Sequence, residues 1–144
     1  MSVSNYLDIE TAFSGLSRAD FIESLVEDGW NLVSDGKIEF LPVGDNGDYD
    51  WQTEAVSQAE LFDIMKQKES NNEELGIAMH WSNSEKGFSL RIDKDATLSF
   101  SFFAGERILE DTHKIADVSW YLNKIVPAIS KIARIESIRY EYIP

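Results

Sequence analysis

Three consecutive segments between residues 75 and 102 alternate apolar and polar side chains with a period of two. Their apolar members are Leu75, Ile77, Met79 and Trp81, then Phe88, Leu90 and Ile92, then Leu98, Phe100 and Phe102. This alternation predicts antiparallel strands that bury one face and expose the other, joined by turns at residues 84–85 and at Asp95. The residues expected to face each other are Met79, Leu90 and Phe100 on the apolar side, and His80 with Ser89 and Arg91 with Ser99 on the polar side.

Signals for three helices flank this three-stranded meander. Ser17 is a typical N-cap for a first helix, and a second helix begins near Thr53 or at Ser57. Ser57 with Glu60 three residues later has the pattern of a capping box. The third helix carries a continuous apolar stripe, formed by Ile115, Val118, Leu122, Ile125, Ile129 and Ile132. Steps of three and four residues predict one long helix, which Pro127 must kink or divide.

The remaining segments complete an α+β domain. Asp35-Gly36 is a favoured two-residue turn, so residues 30–34 and 37–41 are expected to form a hairpin. A last strand covers residues 135–143. The predicted order is therefore α-β-β-α-β-β-β-α-β, within a single globular domain of residues 1–144. We expect a mainly antiparallel, twisted sheet with the long helix of the C-terminal half packed across it.

The acidic residues are concentrated in the first half of the chain. Residues 1–65 contain fourteen Asp and Glu but only two bases, Arg18 and Lys37, whereas residues 76–144 contain nine acids and nine bases. Since like charges repel one another, a fold gains nothing from this asymmetry. The net charge of −13 predicts a basic partner for the first half. The pI of about 4.4 argues against direct binding of nucleic acid or anionic lipid, because both need Lys and Arg.

Composition excludes several further classes of protein. The chain has no cysteine, which excludes disulfides, thiolate nucleophiles and cysteine-based zinc sites. No apolar run approaches the roughly twenty residues of a membrane span. Residues 1–10 have neither a basic stretch nor an apolar segment of the signal-peptide type. We therefore expect a cytoplasmic protein that makes no membrane contact.

A loop at residues 43–52 combines acids with aromatic side chains. A calcium site is one interpretation of its three aspartates, but neither the glycine nor the terminal glutamate of an EF-hand loop is at the required position. A solvated turn is a second interpretation. A protein contact is the third, because aromatic rings serve as buried anchors and carboxylates pair with Lys or Arg. We expect no metal, and we predict partner contacts by Asp35, Asp45, Asp48, Tyr49, Asp50, Trp51 and Glu54.

The polar face of the meander offers the only arrangement with a catalytic interpretation. His80 opposite Ser89, with Asp93 farther along the strand, contains the residue types of a hydrolytic triad. Asp93 would lie roughly 13 Å from Ser89 along the strand, too far to orient an imidazole beside that serine. No nucleophile elbow, zinc motif or phosphate-binding glycine loop is present, so we expect no catalysis and no cofactor. Whether the shallow face around His80, Ser89 and Arg91 is open to solvent or covered stays undecided.

The chain resembles one group of bacterial proteins in four respects: its size, the concentration of acids in its first half, its acidic-aromatic loop and its lack of catalytic residues. These are the immunity proteins of contact-dependent growth inhibition and other polymorphic toxin systems. The resemblance implies a tight complex with a basic toxin domain, often a nuclease, that blocks the toxin's active site or substrate surface. It also implies a monomer or weak dimer when free.

Two alternatives remain open at this point. The chaperones of type III secretion effectors are also small, acidic α+β proteins, and that resemblance implies a homodimer that binds an extended effector segment. They usually end in an amphipathic helix, whereas the last element predicted for this chain is the strand of residues 135–143. An enzyme of unrecognised type is the other alternative, and it requires His80, Arg91 and carboxylates in one pocket.

Overall fold

A computed structural model describes residues 4–13, 17–45, 47–82, 86–102 and 115–144. Three helices lie among the described residues: α1 (Arg18–Glu27), α2 (Gln58–Ser70) and α3 (Val118–Ser130). The strands are β1 (Ser4–Phe13), β2 (Trp30–Asn31), β3 (Val33–Ser34), β4 (Lys37–Phe40), β5 (Gln52–Glu54), β6 (Leu75–Trp81), β7 (Gly87–Ile92), β8 (Thr97–Phe102) and β9 (Ala133–Ile143). The predicted α+β class is confirmed.

All strands belong to one antiparallel sheet. Its order is β3-β4-β6-β7-β8-β1-β9, with β2 beside β6 and β5 beside β4. The predicted run of elements from α1 onward is present. The structure adds β1 and β5 to it, and the single strand predicted over residues 30–34 is divided into β2 and β3. The Asp35-Gly36 turn is confirmed, because both residues have the positive φ angles, 53° and 73°, that the favoured hairpin turn needs.

The helices cover one face of the sheet. Among the described residues, a core cluster combines side chains of that face with side chains from α1, α2 and α3: Leu7, Ile9, Ile77, Leu90 and Phe100 from strands, Ile22 and Leu25 from α1, Leu61 and Met65 from α2, and Tyr121, Ile125 and Ile129 from α3. We call the opposite side of the sheet the open face. It is formed by the alternate residues of the same strands, which point away from the helices.

The register of the meander agrees with the prediction at one junction and differs at the other. Between β7 and β8, Leu90 lies opposite Phe100 and Arg91 opposite Ser99, as predicted. Between β6 and β7 the prediction was wrong by two residues, because Leu90 lies opposite Ile77 instead of Met79. His80 consequently lies opposite Gly87, and Ser89 lies opposite Ala78. A shift of two residues keeps every side chain on its predicted face.

Side-chain caps fix the helix starts. Ser17 accepts a hydrogen bond from the Asp20 N–H, and the Asp20 carboxylate accepts one from the Ser17 N–H, which completes a capping box. Ser57 caps α2 through the Glu60 N–H. The alternative start near Thr53 was wrong, since Thr53 lies in β5 opposite Glu39. The third helix is shorter than predicted, because α3 covers Val118–Ser130 and leaves Ile115 and Ile132 of the apolar stripe outside it. Pro127 lies inside α3 and does not divide it.

Candidate protein-binding surface

The acidic loop folds back over one end of the open face. Leu41 and Trp51 lie on Gly76: a Cβ at Gly76 would be 2.5 Å from Leu41 Cδ1 and 3.1 Å from Trp51 Cη2. Only a glycine leaves room for both side chains there. The open face is therefore covered only in part. The β4–β5 loop covers the end at Gly76, while Ser89, Ser99 and Ser101 are half-buried beyond it.

Tyr49 connects the loop to the middle of the sheet. Its ring lies over the guanidinium of Arg91, with 4.7 Å between the ring centroid and Arg91 Cζ. Arg91 also forms an ion pair with Glu74, at 3.7 Å between Nη1 and Oε1. A guanidinium over an aromatic ring is attracted by the ring's negative face. Tyr49 is still 47% exposed, so one side of its ring is available to a partner.

Asp45 determines the shape of this loop. Its carboxylate accepts hydrogen bonds from the backbone N–H groups of Tyr49 and Asp50, at 3.0 and 2.6 Å. Tyr49 has a φ of +53°, a left-handed conformation that disfavours side chains other than glycine by about 1–3 kcal/mol. Asp45 is only 5% exposed, so its carboxylate stabilises the loop from within and is not displayed to a partner.

A buried lysine holds the other side of the loop. Lys68 of α2 is 1% exposed, and its ammonium group donates to the carbonyl oxygens of Pro42 at 2.6 Å and Asp45 at 3.4 Å. It also forms an ion pair with Glu73 at 3.4 Å. Glu73 in turn accepts a hydrogen bond from the Gly44 N–H at 2.7 Å. These bonds attach the loop to the end of α2.

The pKa of Glu73 reflects this network. Burial alone would raise the pKa of the carboxyl group, because it penalises the charged form. The hydrogen bonds from Gly44 and Asn71 and the positive charge of Lys68 act in the opposite direction and outweigh burial, so that the pKa lies below its ordinary value of 4.5. Glu73 is therefore a carboxylate whose charged form the folded loop stabilises.

Arg18, one of the two bases in the acidic half, also lies inside the structure. Its guanidinium donates to the carbonyl oxygens of Glu73 at 2.8 Å and Ile92 at 3.0 Å. Both carboxylate oxygens of Glu69 accept hydrogen bonds from the first turn of α1, from the N–H groups of Arg18 and Ala19. Because Arg18 is only 7% exposed, its charge barely offsets the surface acids of residues 1–65.

The remaining predicted contact residues fall into two groups at opposite ends of β4. Asp48, Tyr49 and Asp50 are exposed beside the open face, and Trp51 is half-buried against it. At the other end, Asp35 is exposed in the β3–β4 turn and Glu54 is exposed opposite Ile38. The structure thus assembles Asp48, Tyr49, Asp50 and Trp51 as one surface, which we call the loop surface.

Three residues on the open face were not singled out from the sequence. Tyr6, Asp8 and Glu141 line a shallow cavity of about 210 Å³ together with Arg91, Ser99, Phe100 and Ser101. Tyr6 and Asp8 belong to β1, which the sequence analysis did not identify. The signal was weak, since only Leu7 and Ile9 alternate with acids in this strand and the buried Asn5 is polar.

The catalytic interpretation finds no support in the register. His80 lies opposite Gly87, and Ser89 lies opposite Ala78, so these two residues are diagonal neighbours and do not lie directly opposite each other as predicted. Within the described ranges, no group of three or more His, Asp or Glu side chains is arranged to hold a metal ion. None of α1, α2 and α3 is long and apolar enough to cross a membrane.

Comparisons with known proteins found no match for this chain. No protein-family model matches the chain, and no curated protein or solved structure matches it significantly.

Proposed function

We propose that this protein is a non-catalytic binding protein that neutralises a basic partner, a toxin domain of the nuclease type, by covering its active site or substrate surface. The observation that carries the proposal is the loop surface. There, Asp48 and Asp50 flank the exposed ring of Tyr49 on a loop fixed by buried charges. In this function the two carboxylates pair with Lys or Arg of the toxin, and the aromatic rings anchor the contact.

The distribution of exposed charge supports a basic partner. Of the fourteen acids in residues 1–65, Asp45 alone is buried, and the others are half-buried or exposed. On the basic side Arg18 is buried, which leaves Lys37 as the exposed base of this segment. An almost purely negative surface accelerates encounter with a basic protein and repels nucleic acid that would compete for the same toxin.

The rigidity of the loop supports a tight complex. Fixing a loop upon binding lowers affinity, because its conformational freedom is lost at that moment. Here hydrogen bonds with Asp45, Lys68 and Glu73 already hold backbone groups at four positions of the loop in the free protein: Pro42, Gly44, Tyr49 and Asp50. Tyr49 is consequently presented in one backbone conformation before any partner arrives.

The test is neutralisation of a toxin encoded beside this protein. The C-terminal domain of a large secreted protein from the adjoining reading frame is expressed in a bacterial host, alone and with this chain. We expect the domain alone to stop growth, and co-expression to restore growth and to yield a complex that purifies as one species. If the chain neither restores growth nor co-purifies with that domain, the proposed function is wrong.

A further inference from the structure

The open face carries two rows of side chains that cross the five strands β9, β1, β8, β7 and β6. In that strand order, the first row is Glu141, Tyr6, Ser101, Ser89 and Ala78, and the second row is Arg139, Asp8, Ser99, Arg91 and Gly76. Each row has a serine at β8, so this strand carries small side chains on the open face. The larger side chains of Tyr6 and Asp8 lie on one side of it, and that of Arg91 lies on the other.

A polar groove follows β8 as a result. Two strand spacings separate its walls, roughly 10 Å. The cavity of about 210 Å³ lies between these walls. A drug-sized ligand needs a pocket of about 300–1,000 Å³ with mostly apolar walls. The size and the polar lining of this cavity therefore suit one polar side chain of a partner rather than a small-molecule ligand.

One wall of the groove shows how this chain holds a guanidinium. The ring of Tyr49 lies over Arg91, and Glu74 forms an ion pair with Arg91 at 3.7 Å. A guanidinium is planar and always charged, so an aromatic face and a carboxylate are the two groups that suit it. Arg91 has one of each. Because Glu74 offsets its charge, Arg91 is poorly suited to attract an anion into the cavity.

The opposite wall offers the same two kinds of group. Tyr6 is 37% exposed, and the carboxylates beside it are Asp8, two residues along β1, and Glu141, directly opposite in β9. None of these three side chains forms a hydrogen bond or an ion pair with another described residue. Arg139 lies opposite Asp8, but no ion pair joins the two. An aromatic face and two carboxylates are thus available to a ligand at this wall.

We propose that this cavity receives an arginine side chain of the basic partner. The guanidinium lies on the ring of Tyr6 and donates to the carboxylates of Asp8 and Glu141, while the hydroxyls of Ser99 and Ser101 accept its remaining N–H groups. We call these five residues the groove site. The inference rests on the proposed function, which supplies the partner, but it concerns a second contact beyond the loop surface.

The groove site adjoins the loop surface through Arg91, which contacts Tyr49 and also lines the cavity. A basic protein that contacts both therefore covers one continuous area. Arginine is favoured over lysine, because its planar fork stacks on a ring and donates to carboxylates at the same time, whereas an ammonium is a compact, strongly hydrated charge. Arginine is also among the residues that most often contribute a large share of the affinity of a protein complex.

Nuclear magnetic resonance titration of the isotope-labelled chain with N-acetyl-arginine methylamide tests the groove site without the toxin. We expect the backbone amide signals of the groove site to shift and to reach saturation, with a dissociation constant in the millimolar range. The corresponding lysine compound should bind at least about threefold more weakly, because it cannot stack on Tyr6 as a planar group.

Two double variants test the carboxylates. Asp8→Asn/Glu141→Gln should weaken binding of the arginine compound at least about fivefold, because both charged acceptors are lost. Glu10→Gln/Glu136→Gln is the matched control, since it removes two exposed carboxylates from the same two strands outside the cavity. It should change the affinity by less than about twofold, because salt screens exposed charges at a distance. The spectrum of each variant also reports whether its fold is intact.

Three results would overturn the groove site. The first is a titration without saturable shifts at its five residues, whether or not the loop surface responds. The others are equal affinities for the arginine and lysine compounds, and equal effects of the two double variants, since either would mean that only the net charge attracts cations. None of these results bears on toxin neutralisation, which the growth assay tests. Failed neutralisation would in turn leave the binding of the arginine compound unaffected.

Discussion

The ring of Tyr49 lies over the guanidinium of Arg91, 4.7 Å from Arg91 Cζ, which brings an exposed loop side chain to the middle strands of the sheet. The backbone of Tyr49 adopts a φ of +53° at this place. The buried Asp45 accepts the N–H of that strained residue. Strain held by a buried carboxylate at an exposed aromatic side chain is typical of a recognition site rather than of an arbitrary turn.

Substitutions of Tyr49 should distinguish the energetic cost of its backbone conformation from the stabilisation that its ring provides by contact with Arg91. Tyr49→Gly removes the strain, about 1–3 kcal/mol, and loses a cation–π contact worth about 0.5–1 kcal/mol. Added flexibility of the unfolded chain offsets part of the gain. We expect Tyr49→Gly to be more stable than Tyr49→Ala, which loses the ring and keeps the strain. Urea denaturation measures both, and a more stable alanine variant would show that the backbone conformation carries no strain.

Asp45→Asn should loosen the loop although it alters no exposed group. An asparagine offers one acceptor oxygen, and its amide hydrogens face a donor, so one backbone N–H of the loop loses its partner. We expect a loss of about 1–3 kcal/mol in the free energy of unfolding. Asp48→Asn, an exposed carboxylate in the same loop, is the matched control and should change stability by less than about 0.5 kcal/mol. Equal effects of the two substitutions would contradict the role of Asp45.

Stability should depend on pH through Glu73. Its pKa in the folded protein is below the ordinary 4.5, so folding favours the charged form. The stabilisation is therefore complete above that ordinary value and is lost as the pH falls through the lower folded pKa. We expect the difference in unfolding free energy between wild type and Glu73→Gln to shrink as the pH falls from neutral to about 3. A difference that stays constant over this range would contradict the assignment.

Gly76→Ala should displace Leu41, which covers one end of the open face. The new Cβ would overlap Leu41, whose Cγ and Cδ1 both lie 2.5 Å from its position. Over-packing of this kind costs about 1–3 kcal/mol. In a Leu41→Ala background the same substitution should cost clearly less, because the obstructing atoms are gone. A double-mutant cycle gives the coupling, and additive costs would mean that Leu41 does not lie on Gly76.

Much of the fold follows from local patterns that the sequence displays. The alternation of residues 75–102, the caps Ser17 and Ser57, and the Asp35-Gly36 turn each depend on neighbours within a few positions. The β6–β7 register does not follow from such local patterns, because an alternation with a period of two is unchanged by a shift of two residues. Strand β1 was missed because the polar Asn5 takes a core position, where its side-chain oxygen accepts a hydrogen bond from the Ala116 N–H.

The candidate loop was recognisable from the sequence, but the arrangement of its side chains was not. Acids beside aromatic residues marked the loop, yet composition cannot tell which of Asp45, Asp48 and Asp50 is buried. That distinction depends on the loop's own folded geometry and on Lys68, which lies 23 positions beyond Asp45 and reaches its carbonyl oxygen. The contribution of Tyr6 and Asp8 to the open face could not be predicted from the sequence either, because it depends on the pairing of β1 with β8.

The most direct test of the proposed function is the rate at which the C-terminal domain of a large secreted protein from the adjoining reading frame associates with this protein. Asp48→Asn/Asp50→Asn removes two charges from the loop surface, and Asp95→Asn/Glu136→Gln removes two from the charge-balanced part of the chain. At low salt we expect the loop variant to associate several-fold more slowly than wild type, the control variant to match wild type, and high salt to diminish the difference. Equal association rates for both variants and wild type at low salt would contradict the claim that the loop surface recognises a basic partner.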